Sequence, residues 1–304
     1  MLKPPALGPS PLVGVVAPSS PVCHEFMEKG LAELRRLGFR LRLGRGVFAR
    51  HRYTAGSPAD RARDLMELWE DPEVAAVFCA RGGYGSLQLL DHLDAGRFRA
   101  RPKVLLGSSD ATALLCFLGA RAGVVGFHGP MVAQQMARGE SAYDAANLLN
   151  ILRSSRAGVR LVAPGARLLH GGSAEGPILG GCLSIVAALV GTPYLPGFEG
   201  ALLFLEDTGI KPYQIDRMLT QLRLAGCLEG VRGLVFGEMP DCHQHPDQGY
   251  GLEELIGELT ADLRVPVVYG FPSGHTASPA QTLPFGIRAR IDASGLHLLE
   301  GAVS

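Results

Sequence analysis

Short apolar runs and longer stretches with helical periodicity alternate along the first half of the chain. Leu12–Ala17 is apolar throughout and stops at Pro18-Ser19-Ser20-Pro21, which predicts a strand. Phe26–Leu37 carries Leu31, Leu34 and Leu37 at helical spacing and ends at Gly38. Ser57-Pro58-Ala59-Asp60 combines an N-cap, a first-turn proline and an early acid, opening a helix to about Glu70. Val74–Ala80 predicts the next strand, followed by the loop Arg81-Gly82-Gly83-Tyr84-Gly85 and a helix near Ser86–Leu93. The strand Lys103–Leu106, a helix from about Ala111 and the strand Val124–Phe127 continue the alternation. Such a pattern predicts a parallel α/β sheet whose ligands bind beyond the C-terminal ends of the strands.

The second half is patterned differently. A helix near Tyr143–Leu152 is followed by Ser154-Ser155-Arg156-Ala157-Gly158, which reads as a linker. Two short strand-like runs flank Pro164-Gly165, and Glu175–Gly181 leads into a helix near Leu183–Leu189. Ala201–Leu205, Gly233–Phe236 and Val265–Tyr269 read as strands, with helices at Tyr213–Leu224 and Leu252–Leu263. Ile287–Ile291 and Leu296–Leu299 predict a hairpin around Ala293-Ser294-Gly295. The expected architecture is α/β: a parallel-sheet, flavodoxin-like domain over 1–153, a linker at 154–158, and a smaller α/β domain over 159–304.

Composition narrows the function. At 304 residues and 47% apolar, the chain supports two cores and argues against disorder. Its 29 basic and 29 acidic residues cancel and form no long basic stripe, which argues against a nucleic-acid partner. Six scattered cysteines, with Cys79 and Cys116 inside apolar runs, suit reduced thiols in a cytoplasmic protein. Prolines interrupt the N-terminal stretch, so no signal peptide is expected. With no run of 18 apolar residues, no membrane span is expected either.

Candidate chemistry concentrates where strands end. In Leu105-Leu106-Gly107-Ser108-Ser109-Asp110-Ala111 an aliphatic run meets two hydroxyls and a carboxylate, and a helical segment follows. This is the layout of a nucleophile elbow, and equally that of serines capping a helix. A serine nucleophile needs a base and an orienting acid. His275 follows a strand end and the loop Phe271-Pro272-Ser273-Gly274, which could aim an imidazole into a cleft. Glu206 ends the apolar run Leu202–Leu205, where an unpaired carboxylate is costly, so an imidazole partner is expected. Asp241-Cys242-His243-Gln244-His245-Pro246-Asp247 holds several metal-ligand types, but not at a standard spacing, and reads as a solvated loop. No metal and no cofactor is expected.

Five motifs occur in one order: Cys79–Gly85, Gly107-Ser108-Ser109-Asp110, His128-Gly129-Pro130-Met131, Leu205-Glu206-Asp207 and Gly274-His275. In this the chain resembles the LD-carboxypeptidase family, which contains muramoyltetrapeptide carboxypeptidases and microcin C self-immunity proteins. The resemblance implies a serine peptidase working at an interdomain cleft, with Ser109 as nucleophile, Glu206 as acid and His275 as base. It places the oxyanion hole at the backbone N–H groups of Gly83 and Asp110. It also implies release of a terminal D-alanine from a murein tetrapeptide in the cytoplasm, and leaves a homodimer open. Arg81 is a candidate partner for a substrate carboxylate or a structural ion pair, and Tyr84 beside it is a candidate substrate contact. One departure is visible, Gly180-Gly181-Cys182-Leu183 where relatives usually read Gly-Gly-Asn-Leu. An amidase acting on peptidyl or aminoacyl nucleotides, and a non-catalytic protein cradling an anion in its glycine loop, are the rival readings.

Overall fold

The computed structural model describes residues 1–244, 246–293 and 295–304. Strand β1 (Leu12–Val16) leads to helix α1 (His24–Arg36), strand β2 (Arg40–Leu43), helix α2 (Pro58–Glu70) and strand β3 (Val74–Cys79). Helix α3 (Ala95–Ala100), strand β4 (Val104–Gly107), helix α4 (Thr112–Phe117), strand β5 (Gly126–His128) and helix α5 (Ala145–Arg153) follow. The α2 start forms as its sequence predicts, with the Ser57 side chain accepting from the Asp60 backbone N–H and proline in the first turn. Several elements differ from expectation, and β2 and α3 are not among those the sequence predicts. Ser86–His92 is a 3-10 segment, and α4 passes after six residues into a π-helical turn at Leu118–Ala122.

Strands β2-β1-β3-β4-β5 are parallel neighbours in that order. This is the flavodoxin arrangement, whose switch point lies between β1 and β3. Val13, Val15, Phe78, Leu105 and Leu106 are buried in its core. The loops leaving β1, β3 and β4 therefore emerge together at the end where such sheets bind ligands.

The second layer has eight strands. After β6 (Val159–Leu161), β7 (Arg167–His170) and β8 (Ala174–Cys182) come helix α6 (Leu183–Leu189), β9 (Leu202–Glu206) and helix α7 (Pro212–Leu224). Next are β10 (Gly233–Gly237), helix α8 (Leu252–Thr260) and β11 (Val267–Phe271). Strands β8, β9, β10 and β11 are parallel neighbours, so Glu206 and the loop carrying His275 also leave from C-terminal strand ends.

The segment beyond residues 154–158 is not confined to this layer. Strand β12 (Leu283–Phe285) crosses back and pairs antiparallel with β5, at the edge of the first sheet. The hairpin β13 (Arg288–Asp292) and β14 (Gly295–Leu298) then returns to the second sheet beside β8; Ser294 in its turn lies outside the described residues. Among the described residues no helix is long and apolar enough to cross a membrane. All six cysteines are free.

Candidate active site

The turn after β4 sets Ser109 apart from its neighbour. Ser108 is extended (φ −146°, ψ −172°), whereas Ser109 has φ +56°, a left-handed conformation uncommon outside glycine. Such strain persists only where the surroundings enforce it, and it concentrates at functional positions. The enforcing neighbour is the glycine loop after β3. A Cβ on Gly82 would stand 2.7 Å from Ser109 Cβ, 2.8 Å from its Oγ and 3.4 Å from the Asp110 backbone nitrogen. Only glycine lets the two loops approach this closely.

The Asp110 side chain faces inward and does structural work. It is buried, and its Oδ2 accepts from Ser19 Oγ at 2.5 Å and from the Ser86 backbone N–H at 2.8 Å. The Ser86 hydroxyl donates to the Asp110 carbonyl. The loops after β1, β3 and β4 thus share one carboxylate. Arg61 clamps them from α2, donating to the carbonyls of Pro18 and Gly85. Ser20 Oγ accepts the Tyr84 backbone N–H at 3.1 Å, which fixes the far side of the glycine loop.

Glu206 and His275 form a direct pair. The fully buried Glu206 accepts at one oxygen, Oε2, both the His275 Nδ1–H at 2.7 Å and the His275 backbone N–H at 2.9 Å. Because Nδ1 donates to a carboxylate, Nε2 is the ring nitrogen left to exchange a proton. Gly274, with φ +75°, permits the contact, since a Cβ there would stand 2.5 Å from the Glu206 carboxyl carbon. Burial alone would raise the Glu206 pKa, but the His275 and His128 imidazoles outweigh it and hold the carboxyl well below its usual range. Burial would lower the His275 pKa; the Glu206 carboxylate, with help from Asp207, reverses this and raises it above the ordinary 6.5.

The two halves of the site meet at His128. This residue is the register partner of Gly107 on the adjacent strand, two residues before Ser109. Its Nε2 lies 3.6 Å from the second oxygen of Glu206. A further bridge runs from the Cys182 backbone N–H to Thr112 Oγ1, at 3.0 Å. Ser109 Oγ and the His275 ring are not hydrogen bonded, the loose geometry common in a site without substrate.

Residues of the chain match two family models, the LD-carboxypeptidase N-terminal domain over 13–129 and the LD-carboxypeptidase C-terminal domain over 175–291. A putative carboxypeptidase of Streptomyces coelicolor is 42% identical over 301 residues, covering 96% of this chain and 94% of that protein. The chain belongs to the LD-carboxypeptidase family. It is a serine-type carboxypeptidase, a hydrolase of peptide bonds. The murein tetrapeptide carboxypeptidase of Pseudomonas aeruginosa is a further relative, 34% identical with 94% of each chain covered. The microcin C7 self-immunity protein in complex with aspartyl sulfamoyl adenosine has the same fold. Its TM-score is 0.93 at 24% identity, with both chains covered completely.

Cys182 is the register partner of Glu206 on the neighbouring strand, and its buried Sγ lies 3.3 Å from Ser184 Oγ. Burial first, then the charges of Glu206 and Asp207, push its thiol pKa far up, so it stays a neutral thiol. Among the described residues Arg81 makes no ion pair under the glycine loop; it donates from Nε to the Gly82 carbonyl and from Nη1 to the Pro21 carbonyl, both at 3.2 Å. Tyr84 is 48% exposed and packs edge-on against Tyr53, so two tyrosines rim the glycine loop. Among the described residues no group of three or more His, Cys, Asp or Glu could hold a metal ion. His245 of the Asp241–Asp247 loop lies outside them.

Proposed function

We propose that this carboxypeptidase releases the terminal D-alanine of murein tetrapeptides by an acyl-enzyme mechanism, in the cytoplasm and with no metal or organic cofactor. The reading is supported by the Glu206–His275 pair and, on the other sheet, a serine in a left-handed turn. Ser109 Oγ attacks the scissile carbonyl while His275 Nε2 takes its proton, and Glu206 holds the tautomer and balances the imidazolium charge. The N–H groups of Gly83 and Asp110 receive the oxyanion. Collapse breaks the C–N bond as His275 returns the proton to the leaving amine. Water then attacks the acyl-serine, again with His275 as base.

The name of the Pseudomonas relative supports murein peptides as the substrate class. Likeness to the self-immunity protein favours a second reading, cleavage of aminoacyl nucleotides, with the same three side chains. Against it stands Trp69, the single tryptophan, which is fully buried and packed on Phe98 at 4.6 Å, and so offers no face for a purine. Comparing kcat/KM for a murein tetrapeptide and an aminoacyl sulfamoyl-adenosine in one buffer decides between them. Preference for the nucleotide would overturn the substrate class and leave the mechanism standing.

A further inference from the structure

His128 is fully buried, and the mechanism above gives it no task. Its ring stacks on Phe285 of β12, with centroids 5.3 Å apart, and meets Phe204 of β9 edge-on. Its Nδ1 lies 3.3 Å from Ser273 Oγ. That hydroxyl has one proton, and it is committed to the Gln281 carbonyl at 2.8 Å, an acceptor only. Ser273 Oγ is therefore no donor to His128, and the 3.3 Å contact does not by itself fix the ring tautomer.

The opposite edge of the ring completes the argument. His128 Nε2 and Glu206 Oε1 are both buried without a hydrogen-bond partner, and they face each other at 3.6 Å. Too little room is left between them for a bridging water. If the ring were neutral with its hydrogen on Nδ1, two lone pairs would confront one another in a dry interior. Leaving a buried carboxylate oxygen so placed is strongly unfavourable. A hydrogen on Nε2 removes the conflict and supplies Oε1 with its donor.

We propose that His128 is a positioning residue that turns an Nε2–H toward Oε1 of Glu206 and makes one carboxylate serve two histidines. Oε2 receives both donors of His275, and Oε1 receives His128. Since His128 is in register with Gly107 on the nucleophile's sheet, the pair ties Ser109 to the acid and base across the two sheets. A donor at Oε1 also offsets the carboxylate charge seen by His275. The other titratable groups nearby are Asp207, which acts on His275, and the neutral Cys182 beside Glu206.

This deepens the proposed mechanism and rests on it, but its first test needs no substrate. In protein carrying 15N-labelled histidine, the His128 ring can be assigned by through-space contacts to Phe204 and Phe285. Its Nε2 should carry a hydrogen; a bare Nε2 would overturn the proposal even if murein peptides prove to be the substrate. The second test uses His128→Phe, which keeps an aromatic ring, and His128→Gln, which restores one N–H. Against whichever substrate the wild type turns over, the Phe variant should lose about a hundredfold in kcat with little change in KM. The Gln variant should recover part of that loss. In both, the acid limb of kcat/KM should move to higher pH, by about one unit, because His275 then faces an uncompensated carboxylate. Folded variants with wild-type kcat and an unmoved acid limb would overturn the proposal, and if neither variant folds, the wild-type spectrum decides it.

Discussion

The ring and backbone N–H groups of His275 converge on the same oxygen of Glu206, at 2.7 and 2.9 Å. One carboxylate oxygen thereby fixes the loop and the imidazole it carries. Orientation of the base is built into the backbone, not left to a side-chain rotamer.

The pH dependence follows with a definite sign. In the proposed mechanism His275 acts as base only when neutral, and its pKa lies above the ordinary 6.5. The acid limb of kcat/KM should therefore have its midpoint above that value, and His275→Ala should abolish it together with turnover. A midpoint below the ordinary value, in the wild type, would contradict the Glu206 pairing. Stability runs the other way: the contribution of His275 is complete below its unfolded pKa and is lost as pH rises through the folded one. The Glu206 contribution is present above the ordinary carboxylate range and is lost only far into acid.

The two serines of the turn should separate cleanly. Ser109→Ala should remove nearly all activity and all labelling by a fluorophosphonate. Ser108→Ala should keep much of both, because Ser108 is extended and buried and contributes its carbonyl to the Ala111 N–H. Equal loss in two folded variants would contradict the assignment.

Gly82→Ala tests the close approach of the loops. The added methyl would meet Ser109 at 2.7 Å, so the nucleophile or the glycine loop must move. Activity should fall by about a hundredfold or more with the melting temperature nearly unchanged. Retained kcat would show that the contact is not needed.

Arg61→Ala should act on stability before chemistry. Its guanidinium, 3% exposed, donates to the carbonyls of Pro18, Gly56 and Gly85 and to Gln88. Removing it takes a donor from each of them, although Gly85 keeps the Gln88 N–H and Gly56 the Thr54 hydroxyl, at a cost on the order of 3 kcal/mol read from denaturant unfolding. A loss within experimental error would mean the clamp is redundant with the Asp110 network.

EDTA should leave turnover unchanged, because no step of the proposed Ser109–His275–Glu206 mechanism uses a metal. Activity lost to the chelator and restored by zinc would bring the Asp241–Asp247 loop back into the mechanism.

The parallel sheet was legible because its strands are uninterrupted apolar runs, and Glu206 because a carboxylate ending such a run demands a partner. Strand β8 was not, since its Ala-Glu-Gly-Pro-Ile-Leu-Gly-Gly-Cys sequence holds the residues least expected in a strand. Strand β2 alternates arginine and leucine at a half-exposed edge and offers no apolar run. Ser108 and Ser109 differ only in backbone conformation, which residue types do not encode. The pairing of His128 with Glu206 depends on two sheets meeting, and no local pattern carries that.

The return of β12 to the first sheet has a consequence for how the protein is made. The nucleophile turn, the acid and the base leave the ribosome in that order, and the strand that completes the nucleophile's sheet comes after all three. A growing chain therefore holds every reactive side chain before it holds the frame that aligns them. Hydrolytic competence should arise late and all at once, and a fragment ending after His275 should contain the chemistry without the power to use it.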